Sequence, residues 1–364
     1  MSFADRLSRA IYRRHPPFPW NALSWILAPV GWLYGTFMRV REAAYANGWL
    51  RSTHPDSRVI SIGNLTMGGT GKTPVTVFLA ASLTQAGHRV AVVSRGYHGS
   101  LEGRTAVVSD GSSVRLTARE AGDEPIMLAR RLPGVPVLIG ANRGEAAERA
   151  VAEFQPDIIL CDDAFSHLRL RRDLNLVLVH GRDGLGNRRV TPAGPLREPP
   201  SALRRADAVI INTTTADDPA VTDQLLRAGF RGPIFRVRYG APGFRRHPGG
   251  ETVAGETLAN QPVLAFAATA RPADFFVSLR RADLQVVETK AFPDHHAYCE
   301  ADLQSLTELA AQRGIGYLVT TEKDAVKLPA RASATGQILV AGIELIGEGD
   351  DLSALLALVT ASDR

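Results

Sequence analysis

The sequence predicts an α/β protein: a parallel-sheet domain, a second and smaller α/β unit after it, and a separate apolar segment in front. Three observations carry this reading. From residue 58 onward, short apolar runs alternate with helical patterns, as strands joined by crossover helices do. A glycine-rich turn separates the first run from the first helix. All four tryptophans, Trp20, Trp25, Trp32 and Trp49, fall in the first fifty residues, ahead of the alternation. Composition agrees: 364 residues, 45% hydrophobic and 22% charged, make roughly two domains of about 150 residues. That is too apolar for a disordered chain. Two cysteines, Cys161 and Cys299, exclude a disulfide framework and a CxxC zinc site, and fit a reducing compartment.

The leading segment, residues 1–45, carries no charge from Pro16 to Met38; Arg13 and Arg14 flank that stretch on one side, Arg39 and Arg41 on the other. Trp25 and Trp32 are two helical turns apart, with Ile26, Leu33 and Phe37 on an adjoining stripe. No small-residue cleavage site follows a compact apolar core, so a signal peptide is not expected. Length alone would allow a span of about 20 residues, but Pro29, Gly31 and Gly35 interrupt it, and Asn21, Ser24 and Thr36 dilute it. A helix lying in a membrane interface fits tryptophan and arginine beside an apolar face. Packing on the protein's own core and spanning are the alternatives.

Residues 58–62, RVISI, read as a buried strand. GNLTMGGTGKTP follows, and residues 73–87 read as a helix ending at Gly87. Strand, glycine-rich loop and helix make a P-loop, whose backbone N–H groups and helix N-terminus hold phosphates. Thr66 stands where the motif has its first glycine; Met67, Gly68, Gly69, Thr70, Gly71, Lys72 and Thr73 complete the loop. Lys72 is placed to reach the β- and γ-phosphates of a nucleotide triphosphate, and the Thr73 hydroxyl to hold Mg2+. The GGxGKT spelling is close to that of partition and arsenite-pump ATPases. Those carry a lysine where this chain has Met67.

Further strands are read at 89–94, 136–140, 157–163, 175–179 and 208–212, giving a parallel sheet with ligands beyond the carboxyl ends of its strands. Asp162 and Asp163 stand at one such end and are assigned to metal. GDEP sets Asp123 and Glu124 before a helix starting near Pro125, where a plain N-cap is the other reading. Arg143, after the 136–140 strand, either clamps a phosphate or pairs with Glu145. Tyr97 flanks the nucleotide or fills a turn. The P-loop domain is taken as 46–231, a Gly-, Pro- and Arg-rich linker as 232–262, and the smaller α/β unit as 263–364. That unit contains FPDHHAY (292–298) and TTEKDAVKL (320–328), with Lys323 at a strand end.

Net charge is +5, and 38 of the 42 basic residues are arginines. The four lysines, Lys72, Lys290, Lys323 and Lys327, therefore stand out. Modest basicity suits phosphates, anionic lipid or nucleic acid and does not choose among them; no nucleic-acid partner is assigned.

The strings GNLTMGGTGKTP, SRGY, GDEP, DDAFSHLRLRRD, PAGPLREP, FPDHHAY and TTEKDAVKL occur in that order. Together they resemble the tetraacyldisaccharide 4'-kinase family over about residues 10–330. The resemblance implies transfer of the ATP γ-phosphate to the 4'-hydroxyl of an acylated glucosamine disaccharide 1-phosphate, with Mg2+. The product is the 1,4'-bisphosphate precursor of lipid A. It also implies peripheral association with the cytoplasmic face of the bacterial inner membrane through the leading segment. It makes Asp123 the base, partnered by His295 of the second unit, with Lys72 and Arg143 in the catalytic set. Thr73, Asp162, Asp163 and Glu124 become the metal set. A sugar hydroxyl is a weak nucleophile, so a carboxylate accepting its proton is chemically apt. The chain departs from the family's DDGFQH at Ala164 and Ser166, and has ATARP where the family has a glycine-isoleucine turn. Arg171 and Arg172 are candidates for lipid phosphate. The competing class is a P-loop regulatory ATPase without a lipid acceptor.

Overall fold

A computed structural model of the chain describes residues 18–241, 243–259, 261–329 and 337–361. Arg13, Arg14 and Pro16 lie outside the described residues.

Nine strands form the larger sheet. They are β1 (Arg58–Gly63), β2 (Val90–Ser94), β3 (Ala106–Asp110), β4 (Pro136–Ile139), β5 (Ile158–Asp162), β6 (Leu174–His180), β7 (Ala208–Asn212), β8 (Ile234–Gly240) and β15 (Glu344–Gly347). Their order is β15-β8-β7-β6-β1-β5-β2-β4-β3. Only the outer strands β3 and β15 run antiparallel to their neighbours. β1 sits between β5 and β6, and its residues from Val59 onward are buried. Buried on both faces, β1, β2, β5 and β7 read as continuous apolar runs, which is why the sequence reveals them. The helix Lys72–Gln85 packs Val75, Leu79 and Leu83 into the core on this sheet. The phosphate loop is thereby fixed at the carboxyl end of a central strand.

The smaller sheet contains β9 (Phe244–Arg246), β10 (Thr252–Val253), β11 (Pro262–Ala267), β12 (Gln285–Ala291), β13 (Tyr317–Thr321) and β14 (Gln337–Ala341), in the order β10-β9-β14-β13-β11-β12. The helices Pro272–Arg281 and Glu300–Gln312 pack Leu279 and Leu306 on its two faces.

Two boundaries differ from the sequence reading. Residues 232–262 are not a linker: β8 belongs to the larger sheet, and β9 and β10 to the smaller. β8 alternates buried Phe235, Val237 and Tyr239 with half-exposed Arg236 and Arg238, so it lacks the apolar run of its neighbours. The unit read as 263–364 also ends early. β15 pairs with β8, Glu344 opposite Gly240, and the helix Asp351–Thr360 buries Leu355 and Val359 in the core of the larger sheet. The smaller unit thus lies between two paired strands of the larger one.

At the front, the helices Trp20–Ile26 and Ala28–Ala46 turn at Leu27, so Trp25 and Trp32 are not on one continuous helix. Their small residues face inward. Ser24, Ala28, Gly31, Gly35 and Met38 are buried, and a Cβ on Gly31 would sit 2.9 Å from the Val190 carbonyl oxygen. Asn187 and Arg189 donate to the Ser24 hydroxyl at 3.0 Å, and the Arg189 guanidinium lies 3.6 Å from the Trp25 ring centroid. The opposite face leaves Ile26, Trp32, Leu33, Phe37 and Val40 exposed. Among the described residues no helix is long and apolar enough to cross a membrane.

Candidate active site

The two sheets and the helix Ala28–Ala46 enclose a cleft of about 1020 Å³. Its floor is the P-loop. Thr66 is buried and bridged to Leu196, Met67 N–H donates to the Pro195 carbonyl at 2.8 Å, and Arg197 N–H to Leu65 at 2.7 Å. This pairing with the PAGPLREP segment holds the loop's first half extended, so Thr66 serves where the motif has glycine. Asn64 ties the turn from inside, donating to the Thr66 and Gly68 carbonyls at 2.8 and 3.2 Å. Gly71 has φ +87°, and a Cβ there would overlap the Tyr239 hydroxyl; glycine is required. Thr70 is buried, while Met67, Gly68, Gly69, Lys72 and Thr73 line the cleft.

Lys72 Nζ lies 3.3 Å from Asn64 Oδ1 and 3.4 Å from Asp163 Oδ1. Asp163 also takes Arg197 at 3.0 Å. Burial acts to raise its pKa, but Lys72 and Arg197 outweigh burial and hold its carboxyl well below the usual carboxylate range. Asp162 differs. It is buried, and the Thr76 hydroxyl donates to it at 3.5 Å. Burial first, and the neighbouring Glu124 carboxylate second, push it up to about 7. Among the described residues no three His, Cys, Asp or Glu side chains group as a metal site. Mg2+ in nucleotide sites uses one or two carboxylates, with water and phosphate completing its shell. A buried carboxyl short of positive charge, with Glu124 beside it and the Thr73 hydroxyl lining the same cleft, fits such a hard cation.

The opposite wall is lined by Glu124, Asp294, His295 and Lys323, and Asp123 lies behind it, held by His295. It starts the helix Asp123–Arg131, is 4% exposed, and lies 3.0 Å (Oδ2) from His295 Nδ1. Lys327 approaches at 3.3 Å and Lys323 at 4.0 Å. Burial would raise the Asp123 pKa; the His295 hydrogen bond, Lys323 and Lys327 reverse it and hold the carboxyl well below its ordinary range. Lys323 also meets Glu124 at 3.0 Å and Asp294 at 3.3 Å. Burial would lower its pKa, yet these carboxylates raise it, so its positive charge is secured. His295 and Asp163 both have positive φ, 61° and 56°. Such strain in non-glycine residues gathers at functional sites. Tyr97 is half-exposed and edge-on to His295 at 5.9 Å between ring centroids.

Arg143 is not among the residues lining the cleft. It is 4% exposed, and its guanidinium donates to the carbonyls of Gly140, Ala141 and Asp163 at 3.2–3.3 Å. Among the described residues it does not pair with Glu145, which instead accepts from Asn142. Its reach is spent on the turn before its own helix and on the backbone behind the Asp162–Asp163 pair. Arg172 is likewise turned inward, onto Asn175 and the carbonyls of His167 and Leu170; Arg171 is exposed. Asn64, Arg197 and Lys327 are site residues that motif reading passed over. Lysine scarcity was their available signal in part: three of the four lysines, Lys72, Lys323 and Lys327, stand within 4 Å of a site carboxylate.

A phosphate loop on one wall and a buried carboxylate–histidine pair on the other, in one cleft with an apolar helix at its rim, describe a P-loop phosphotransferase. The model of the tetraacyldisaccharide-1-P 4'-kinase family, LpxK, matches residues 23–360. The tetraacyldisaccharide 4'-kinase of Geobacter sulfurreducens is 45% identical over 84% of either chain, and that of Anaeromyxobacter dehalogenans 41% identical over 96% of this chain and 94% of its own. A crystal structure of LpxK from Aquifex aeolicus in complex with ATP is similar, with TM-score 0.72 and 28% identity, covering 93% of this chain and 99% of that one. The chain belongs to this family, and its activity is that of an ATP-dependent tetraacyldisaccharide 4'-kinase of lipid A biosynthesis.

Proposed function

We propose that Asp123 accepts the proton of the lipid's 4'-hydroxyl as that oxygen attacks the ATP γ-phosphorus. The P–O bond to ADP breaks in the same displacement, and His295 orients the carboxylate. The contact between Asp123 and His295 at 3.0 Å carries this reading. A carboxylate kept ionised is ready to accept a proton at any physiological pH. Its basicity is low, which phosphoryl transfer tolerates because little bond formation to the nucleophile precedes the loose transition state. Lys72 and the P-loop N–H groups bind the β- and γ-phosphates. Thr73, Asp162 and Glu124 would hold Mg2+, which neutralises phosphate charge when bound. Asp163 positions Lys72. Arg143 braces the loop that carries these aspartates.

The lipid substrate enters from the membrane side. Ile26, Trp32, Leu33 and Phe37 are exposed on the leading helices, and Tyr34, Phe37, Met38 and Arg41 from the same helix line the cleft. Burying four such side chains at about 1.5 kcal/mol each yields about 6 kcal/mol, similar to one acyl chain and therefore reversible. This favours peripheral docking of residues 1–45 on the cytoplasmic face of the inner membrane.

Phosphate transfer from γ-labelled ATP to tetraacyldisaccharide 1-phosphate in detergent micelles tests the assignments. A labelled bisphosphate lipid, lost in Asp123→Ala and Lys72→Ala while both variants stay folded, is the expected result. Full transfer by Asp123→Ala would overturn the base assignment.

A further inference from the structure

Two contacts join the smaller unit to the P-loop, and the phosphotransfer chemistry above does not use them. The first turn of the smaller unit, residues 267–272, follows β11 and carries Arg271. Its Nε donates to the Gly69 carbonyl at 2.9 Å, and its Nη1 pairs with Asp183 on the loop after β6. Ala270 sits against the same glycine: a Cβ on Gly69 would be 3.0 Å from the Ala270 Cβ. Beside this pair, Asp274 at the start of the next helix meets His180 at 3.2 Å, and His180 lies 3.5 Å from Asp183. His180 is 2% exposed. The chain has Ala270-Arg271-Pro272 here.

In a trans peptide the C=O and N–H of one plane point in opposite directions. Fixing the Gly69 carbonyl toward Arg271 therefore turns the Thr70 N–H the opposite way. Tyr239 does the same two residues on, donating to the Gly71 carbonyl at 2.7 Å, which turns the Lys72 N–H away from the tyrosine. Phosphate binding by such a loop depends on these N–H groups converging. Tyr239 belongs to the same sheet as the loop. Arg271 belongs to the unit that carries His295.

We propose that Arg271 is a positioning residue for the nucleotide: paired with Asp183, it clasps the Gly69 carbonyl and aims the Thr70 N–H at the phosphates. The smaller unit thereby governs both walls of the cleft, the base through His295 and the phosphate loop through Arg271. The inference rests on the cleft being the kinase site, and its test separates the two.

Steady-state kinetics with ATP and micellar lipid varied independently, together with thermal unfolding, decide it. Arg271→Ala raises the ATP KM about tenfold, equivalent to about 1.4 kcal/mol, and leaves the lipid KM within about twofold. Asp183→Asn raises the ATP KM less. The double variant is no worse than Arg271→Ala, since the two act as one pair. Arg271→Lys keeps the charge for Asp183 but has no Nε–H for Gly69, so it restores the unfolding temperature and not the ATP KM. An unchanged ATP KM in Arg271→Ala, multiplied effects in the double variant, or recovery of both properties by lysine would each overturn the clasp. Any of these leaves the Asp123 assignment standing. Conversely, an active Asp123→Ala enzyme overturns that assignment and leaves the clasp intact.

Discussion

His295 and Asp123 are 172 positions apart in the chain, yet His295 Nδ1 stands 3.0 Å from the Asp123 carboxylate, with the histidine backbone at φ +61°. One residue starts a helix of the larger unit, and the other lies in the loop after β12 of the smaller. The contact depends on both units being seated together. His295→Asn, a residue that tolerates the left-handed backbone, is expected to lower kcat by roughly 10- to 100-fold with little change in either KM. Asp123→Asn is expected to lower it by about 10²–10⁴-fold, the range for loss of a general base. A large rise in lipid KM at unchanged kcat in either variant would mean that the pair binds rather than acts.

The pH dependence follows from the cations around Asp123. Its folded pKa is depressed, so the stability that its charge supplies is present above the unfolded value near 4 and is lost as pH falls through the folded one. Activity on the acid side follows the same group. Lys327→Met removes a cation 3.3 Å away that, with the His295 hydrogen bond and Lys323, depresses the Asp123 pKa, so the acid limb of kcat/KM moves to higher pH. An acid limb that does not move in Lys327→Met would assign it to another group.

Asp162 gives the opposite sign. Its pKa is raised to about 7, so its ionisation opposes folding. The ligand-free protein loses stability as pH rises from about 4 through 7. Asp162→Asn is expected to raise the unfolding free energy at pH 8 by about 1–3 kcal/mol while lowering phosphate transfer by orders of magnitude. Equal destabilisation at pH 5 and pH 8 would contradict this account.

Arg143 is a test of position against motif. Arg143→Ala strips three carbonyls of a buried charged donor, at a cost of roughly 3 kcal/mol. The expected result is a fall in unfolding temperature with residual activity in the folded fraction. Full stability with lost kcat would restore the phosphate-clamp role.

The leading helices offer a variant set that leaves the core untouched. Trp32→Ser with Leu33→Ser and Phe37→Ser alters side chains that are 60–74% exposed. Sedimentation with anionic vesicles is expected to fall by an order of magnitude or more, with unfolding unchanged. Equal sedimentation would remove this face from membrane docking.

The sequence made the central strands legible because burial on both faces forces apolar runs, as at Ile158–Cys161. It made the P-loop legible because glycine and lysine are required at fixed spacing. β8 escaped because one face meets solvent and carries Arg236 and Arg238. β15 escaped because its partner lies about a hundred residues earlier. Within the site, Asp123 and His295 became a pair through the resemblance rather than through local pattern, since no periodicity links positions so distant. For Arg143 the sequence left the partner open, because a strand-end arginine has the same local sequence whether its guanidinium faces a phosphate or the backbone carbonyls that it meets here. Arg197 and Asn64 hold the loop through contacts that spacing does not encode.

The chain leaves the larger sheet after Gly240 and re-enters it at Glu344, and those two residues face each other across a strand pair. The smaller unit is therefore a graft within a hairpin. A short turn joining the two strands would close the larger sheet over the wound, leaving the phosphate loop, Asp123 and Asp162 on a continuous scaffold without His295 or Arg271. Both covalent bridges therefore leave from a single edge of the larger sheet, and His295 and Arg271 reach Asp123 and the phosphate loop from that one anchorage.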